Sequence, residues 1–270
     1  MSSQERHASK MEYIEANALY PRKLPIFNIT DKGIGVNHPK ELNKNHILIL
    51  HGGADISPSL YGEPVSKLGG GCANPSHRDM QEWDFIKVAV ELGIPIVGIC
   101  RGAQMLCAYD GGKLMQHIEN HTGRNHVITD TRDQQSYVSN SCHHQMMIPS
   151  DNAEVIAYHH EMTIGYDSQN RNHVIGKVPE VVHFPNIRAL GIQGHPEWLG
   201  VSNPFVQYCT KLIKHYLLNE ELMDNEEDLG IGNWMMDYAE KVLRQSGYKT
   251  IEEWEHHHKQ DFYTYIATTA

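Results

Sequence analysis

Gly93-Ile94-Pro95-Ile96-Val97-Gly98-Ile99-Cys100-Arg101-Gly102-Ala103-Gln104 is the stretch whose reading decides the fold. Ile94 to Ile99 is a short, β-branched apolar run bounded by Gly93. That is the pattern of a strand covered on both faces in a parallel sheet, and it is too short for a buried helix. A helical pattern follows at once through Ala103, Leu106 and Cys107, and Gly111-Gly112 closes it. A strand that turns straight into a helix around one cysteine, with Gly98 and Gly102 two residues to either side, predicts a nucleophile elbow. Cys100 then lies at a helix N-terminus, where the macrodipole and unpaired backbone N–H groups favour a thiolate. A lone cysteine ending a strand can also be simple core packing; the paired glycines and the strand-to-helix switch favour the nucleophile.

Working outward, His46 to Leu50 reads as another buried strand, running into His51-Gly52-Gly53-Ala54-Asp55-Ile56-Ser57-Pro58. Paired glycines after a parallel strand leave backbone N–H groups where a ligand can approach. Asp79 is expected to cap a helix through about Leu92, with Trp83, Ile86 and Val90 on one stripe and Gly93 as its stop. Strand, crossover helix and the Cys100 strand make a parallel βαβ unit. Downstream, further strands are expected at His126–Thr129, Ser136–Val138, Ala153–Tyr158, Thr163–Tyr166 and Val181–Phe184. A last core strand over 187–194 ends at His195-Pro196-Glu197, and Pro204 opens a helix to about Leu218. The expected class is α/β, a mostly parallel central sheet flanked by helices.

Three units are expected: an N-terminal arm over 1–24, a main domain over 25–218, and an extension over 219–270. Pro25–Ile29 reads as a short strand. The extension opens on an acidic linker, and Met235, Tyr238, Ala239, Val242 and Leu243 form a helical stripe. Thr250-Ile251-Glu252-Glu253 has the form of a capping box. The net charge of −10 argues against a nucleic-acid surface. No apolar run reaches membrane-spanning length and the N-terminus has no signal-peptide core, so a cytoplasmic protein is expected. The five cysteines form no CxxC pair, which favours reduced thiols over a disulfide framework. The nineteen histidines are mostly scattered, and His256-His257-His258 reads as solvated; no metal and no cofactor are expected.

A thiol nucleophile needs a base to take its proton and return it to the leaving amine, and the base needs a carboxylate to hold its tautomer. His195 and Glu197, two apart at a strand end, leave on one face and supply both roles if their strand neighbours that of Cys100. Gly98-Ile99-Cys100-Arg101-Gly102-Ala103-Gln104 with His195-Pro196-Glu197 resembles the signatures of the class I glutamine amidotransferase superfamily. More narrowly, the chain is similar to its γ-glutamyl-γ-aminobutyrate hydrolase branch through Gly52 to Pro58 with Tyr61-Gly62, Arg78-Asp79 with Glu82, Gly111-Gly112-Lys113-Leu114, Ser141-Cys142-His143-His144-Gln145 and Gly191 to Glu197. These pieces span 46–200 in the family's order.

The resemblance implies a flavodoxin-like fold and a Cys100–His195–Glu197 triad. Such a triad cleaves a γ-glutamyl amide, glutamine or a γ-glutamyl-amine, through a thioester. It implies an oxyanion hole from the backbone N–H groups of Gly53 and Arg101, and substrate contacts from Gly52, Gln104, Ser141, Cys142 and His143. Without it, Gln104 would read as a helix-surface amide, and His143 and His144 equally as packing histidines. Asp55, Arg78 and Glu82 are expected to hold loops. The alternative is a glutaminase subunit that feeds ammonia to a synthetase on a separate chain, docked through 219–270; a homodimer through the same segment is the other expected use of it. Three features depart from the family pattern: a short region before the Ile47 strand, leaving a sheet edge either trimmed or rebuilt from residues 10–30; Cys107 where Asn is usual; and Gly194 in place of a bulkier residue.

Overall fold

Alternation along the buried runs decides which layer each side chain enters. In a computed structural model, which describes residues 12–15, 34–35, 38–44, 46–199 and 203–218, the elements follow one another as β1 (Glu12–Glu15), β2 (Ile34–Gly35), β3 (His46–Leu50), α1 (His77–Leu92), β4 (Ile96–Ile99), α2 (Arg101–Tyr109), β5 (Lys113–Met115), β6 (His117–Ile118), β7 (Thr122–Asp130), β8 (Ser136–Cys142), β9 (Met146–Ile148), β10 (Glu154–His159), β11 (Thr163–Tyr166), β12 (Asn172–Ile175), β13 (Val178–Phe184), β14 (Ala189–Ile192) and α3 (Pro204–Leu218). Leu48 and Leu50 of β3 pack with Phe85, Ile86 and Leu106 from α1 and α2. Ile47 and Ile49, on the opposite face, pack with Phe205, Cys209 and Leu212 of α3. Helices cover both faces, which is why the strand is apolar at every position.

Among the described residues, nine strands form the main sheet in the order β2-β1-β3-β4-β14-β13-β10-β7-β8. From β2 to β14 the pairs are parallel. From β14 to β8 they are antiparallel. Two small sheets, β12-β11-β6 and β5-β9, complete the arrangement. The α/β, flavodoxin-like class expected from the sequence is the class observed.

Some boundaries differ. Glu12–Glu15, expected in a loosely docked arm, is a strand paired parallel to β3, so part of that arm belongs to the sheet and rebuilds its edge. Helix α1 begins at His77, with Ser76 rather than Asp79 at the N-cap. Asp79 occupies the third position of a capping box: its backbone N–H donates to Ser76 Oγ at 3.1 Å, and its carboxylate accepts from the Ser76 N–H at 2.8 Å. Gly93 ends the helix at φ 67°, a left-handed position that glycine takes at no steric cost. The expected strand at Pro25–Ile29 and the whole extension over 219–270 lie outside the described residues. Among the described residues no helix is long and apolar enough to cross a membrane.

Candidate active site

The elbow is built by sterics. Cys100 takes φ 51° and ψ −108°, a conformation costly for a residue with a Cβ. The turn closes only because its flanks lack side chains: a Cβ on Gly98 would lie 2.5 Å from the Gly102 carbonyl carbon, and one on Gly102 would lie 2.2 Å from the Leu50 oxygen. Strands β4 and β14 run parallel with Ile99 opposite Ile192, and the Cys100 N–H donates to the Ile192 carbonyl at 2.8 Å. That register brings the residues after each strand to one crevice: Cys100 one step past the last rung, His195 three steps past it.

His195 and Glu197 meet, though not as neighbours along a strand. β14 ends at Ile192, and His195 precedes a 3-10 turn over Pro196–Trp198. Proline at the first turn position fixes the backbone, and the turn folds Glu197 back so that its Oε1 lies 2.6 Å from His195 Nδ1. Trp198 stacks on the imidazole at 3.7 Å between ring centres. Burial disfavours the imidazolium of His195, but the charges of Glu197 and Cys100 and hydrogen bonds to both outweigh it, holding the pKa well above the usual histidine value. The asparagine just before Ser141 is a positioning residue that the sequence reading missed. Asn140 Nδ2 donates to the His195 carbonyl and Asn140 Oδ1 accepts from the His195 N–H, both at 2.8 Å. Gly194 has no room for anything larger: a Cβ there would lie 2.2 Å from Ser139 Oγ and 3.0 Å from the Asn140 carbonyl oxygen.

The glycine turn after β3 faces the same crevice. A Cβ on Gly52 would lie 2.8 Å from His195 Cε1 and 3.4 Å from Cys100 Cβ. A buried ion-pair network pins this turn to the elbow. The Arg101 guanidinium bonds Asp79 and Glu82; Glu82 Oε1 accepts from Arg78 Nε at 2.9 Å; and Arg78 donates to the His51 and Gly52 carbonyls at 3.1 and 2.9 Å. Arg78 and Glu82 therefore hold loops, as expected. Asp55 does the same for the glycine loop, accepting from the Gly70 N–H at 2.9 Å and facing His144 Nε2 at 3.1 Å.

Gln104 is buried and not a helix-surface amide; its Nε2 lies 3.4 Å from Gln193 Oε1. Cys142 is close enough for its thiol to feel the charges of His195 and Cys100, though burial dominates and pushes its pKa up. Ser141 is fixed by its hydroxyl to the His121 carbonyl. His143 does not join the crevice group through its side chain. Its Nδ1 bonds the Gln145 carbonyl at 2.8 Å and its Nε2 faces Glu180 at 3.4 Å, within a buried histidine cluster, which is the packing alternative that the residues alone left open. Cys107 is core: burial pushes its thiol up to about 12.

A mixed α/β sheet with a nucleophile elbow and a His–Glu pair on the adjacent strand end defines the class I glutamine amidotransferase-like architecture. The chain belongs to the Peptidase C26 family, whose model matches residues 2–197. It is 32% identical over 156 residues to a glutamine amidotransferase-like protein of Lactococcus lactis, covering 56% of this chain and 65% of that one. It is 34% identical over 96 residues to the γ-glutamyl-CDP-amidate hydrolase of Campylobacter jejuni, covering 36% of this chain and 41% of that one. Both matches span less than two thirds of the relative's length. A solved glutamine amidotransferase of Thermotoga maritima superposes with a TM-score of 0.48 at 12% identity, over 87% of this chain and 98% of that one. The expected family agrees with the family match.

Proposed function

We propose that the chain hydrolyses a γ-glutamyl amide through a thioester on Cys100. The observation that carries this reading is the strained Cys100 elbow beside a histidine whose Nδ1 is fixed by Glu197 at 2.6 Å, which leaves Nε2 for the thiol. Sγ attacks the amide carbonyl carbon and its proton passes to His195. The carbon–nitrogen bond then breaks as His195 protonates the departing amine. Water, deprotonated by His195, attacks the thioester carbonyl; glutamate leaves and the proton returns to Sγ. Glu197 orients the imidazole and offsets its charge.

The oxyanion hole is assigned to the Arg101 and Gly53 N–H groups. Arg101 opens helix α2, where backbone N–H groups have no helical partner. In a planar trans peptide the C=O and N–H point opposite ways, so Arg78's grip on the Gly52 carbonyl directs the Gly53 N–H away from the guanidinium. The ion-pair network thus holds this turn ready before substrate arrives. Gly52, Gln104 and the Ser141-Cys142 backbone border the glutamyl group, with Gln193 beside Gln104. The leaving amine is ammonia or a larger amine.

The experiment is a substrate panel on the isolated chain, from glutamine to γ-glutamyl-γ-aminobutyrate and γ-glutamyl polyamines, with no partner or nucleotide present. Cleavage of γ-glutamyl amides by the chain alone is the expected outcome. Activity on glutamine only after a synthetase is added would overturn it and make the chain a glutaminase subunit.

A further inference from the structure

Five residues that are far apart in sequence, and that the proposed hydrolysis does not use, converge inside the antiparallel half of the sheet. They are His121, just before β7; His126 on β7; His143, just after β8; His159, ending β10; and Glu180 on β13. All are buried. Glu180 is aimed there by an irregularity in the β10–β13 ladder. Ala157 pairs with Val181 and Tyr158 with Pro179, which leaves Glu180 as the extra residue; such bulges re-aim a side chain.

The hydrogen bonds settle which ring nitrogens carry protons. His121 Nδ1 bonds the Glu119 carbonyl, His143 Nδ1 the Gln145 carbonyl and His159 Nδ1 the Val127 carbonyl, each at 2.8 Å. A carbonyl only accepts, so in each ring Nδ1 donates and Nε2 presents a lone pair. Yet His121 Nε2, His143 Nε2, both His126 ring nitrogens and both Glu180 oxygens are buried without a hydrogen-bond partner. Neutral rings at His121, His143 and His159 thus turn Nε2 lone pairs inward beside the Glu180 carboxylate, and the single N–H of a neutral His126 cannot satisfy them all; a cation in their midst relieves that cost. Histidines whose Nδ1–H is fixed by a backbone carbonyl while Nε2 points inward have the outer-shell arrangement of metal ligands.

We infer that His126, His143 and Glu180 bind one divalent first-row transition ion of the Zn²⁺ type. Oxygen Oε1 of Glu180 lies 3.2 Å from His126 Nε2 and 3.4 Å from His143 Nε2. A tetrahedral ion with bonds of about 2.0–2.1 Å has ligand–ligand edges of roughly 3.3–3.4 Å. The donor atoms of His126, His143 and Glu180 all lie within 4.8 Å of one another, and those of His121, His126 and His159 form a second such set sharing His126. The rings of His121 and His143 are 5.2 Å apart, and His159 stacks on His126 at 4.2 Å. Imidazole and carboxylate donors without thiolate suit Zn²⁺ and its neighbours rather than Cu⁺.

The ion is structural, and it braces the walls of the catalytic crevice. It ties together β7, β13 and the turn after β8; Ser141 is bonded to the His121 carbonyl, and the Gln193 N–H donates to the Glu180 carbonyl at 2.8 Å. The earlier expectation of no metal rested on the histidines being scattered along the chain, and the fold gathers them.

The test is a metal titration of the full chain in a background with Cys100→Ser and His256, His257 and His258 replaced by Ala, which removes competing ligands. After chelator treatment, Zn²⁺ should bind at about one per chain and raise Tm, and Co²⁺ should give the visible absorption of a tetrahedral nitrogen–oxygen site. Glu180→Gln and His143→Gln should each weaken Zn²⁺ binding by at least tenfold and abolish the Tm rise. Should a variant fail to fold, the parent background still decides, through its Co²⁺ spectrum and through the His143 Nε2 NMR shift on adding Zn²⁺. A folded parent that takes up no stoichiometric Zn²⁺ or Co²⁺, or folded variants that bind as the parent does, would overturn the site.

Discussion

The two halves of the main sheet place their chemistry by different means. In the parallel half, a functional side chain stands where a strand stops, so a few adjacent residues suffice: Gly98 to Gly102 for the elbow and His195 to Glu197 for its base. In the antiparallel half, His121, His126, His143, His159 and Glu180 come together only through strand register and one ladder irregularity, with no local pattern to announce them. The contrast separates a motif from a constellation. A motif can be read because one turn builds it, whereas a constellation depends on every pairing between its members.

If the parallel half holds all the bond-making groups, the largest effect anywhere in the molecule belongs to Cys100. Cys100→Ser should lower kcat by more than about 10⁴-fold while the protein stays folded, since the change is nearly isosteric. A glutamine-mimicking electrophile should label Cys100 and spare Cys107, which is buried and has its thiol pushed up to about 12. Mass mapping of the adduct to another cysteine would break the assignment.

His195→Ala should cost roughly 10²–10⁴-fold, the scale of a lost general base. Glu197→Gln should cost less and should change the pH dependence. Burial opposes the His195 imidazolium, and Glu197 is the foremost group opposing burial. Removing that charge lowers the His195 pKa, so the pH profile of kcat/KM should shift its His195-dependent limb to lower pH. The sign for stability follows. With a raised folded pKa, the stabilisation from the charged pair is complete below the unfolded imidazole's range and is lost as pH rises through the folded value. In Glu197→Gln that loss should come at lower pH in thermal melts. A profile and a melt series identical to wild type would reduce the triad to a dyad.

What the sequence made legible follows the same division. The buried strands β3 and β4, the glycine stop at Gly93 and helix α3 were readable because apolar periodicity and helix ends are local signals. The sequence places the cap of α1 three residues late because Ser76 and Asp79 are both capping types, and only their reciprocal hydrogen bonds assign the roles. The sequence brings His195 and Glu197 together by strand alternation, where the fold does so through a 3-10 turn. Asn140 carried no signal, since its partner is a backbone 55 positions away. For His143 the residues alone leave a packing histidine and a substrate contact equally open, because the ring's partner, Glu180, lies on a distant strand.

Gly194→Ala tests whether the halves are packed against each other at the His195 turn. The added Cβ would meet Ser139 and the Asn140 carbonyl from β8 as well as Phe205 of α3 at 3.1 Å. Overpacking of this kind costs typically about 1–3 kcal/mol. A lower Tm with a clear loss of kcat is expected, because backbone must shift at the position next to His195. Full activity with unchanged stability would show that β8 yields easily there.

The smallest effect expected is also the sharpest probe of coupling between the halves. Asn140 belongs to β8, at the edge of the antiparallel side, yet its amide is the bracket around the His195 backbone. Asn140→Ala removes one donor and one acceptor from that bracket, a loss of roughly 1–3 kcal/mol at about 0.5–1.5 kcal/mol per hydrogen bond. His195 keeps its Glu197 partner and its Trp198 stack, so the imidazole retains its tautomer and loses only exact placement. Activity should fall by about tenfold, the kind of penalty that slight misplacement of a catalytic group brings. Asn140→Asp separates placement from general instability. Its carboxylate can still accept from the His195 N–H but cannot donate to the His195 carbonyl, so it should restore part of the Tm without restoring the full rate. Equal recovery of both, or no loss of kcat in Asn140→Ala, would mean that the antiparallel half supports the fold around the site without positioning its base.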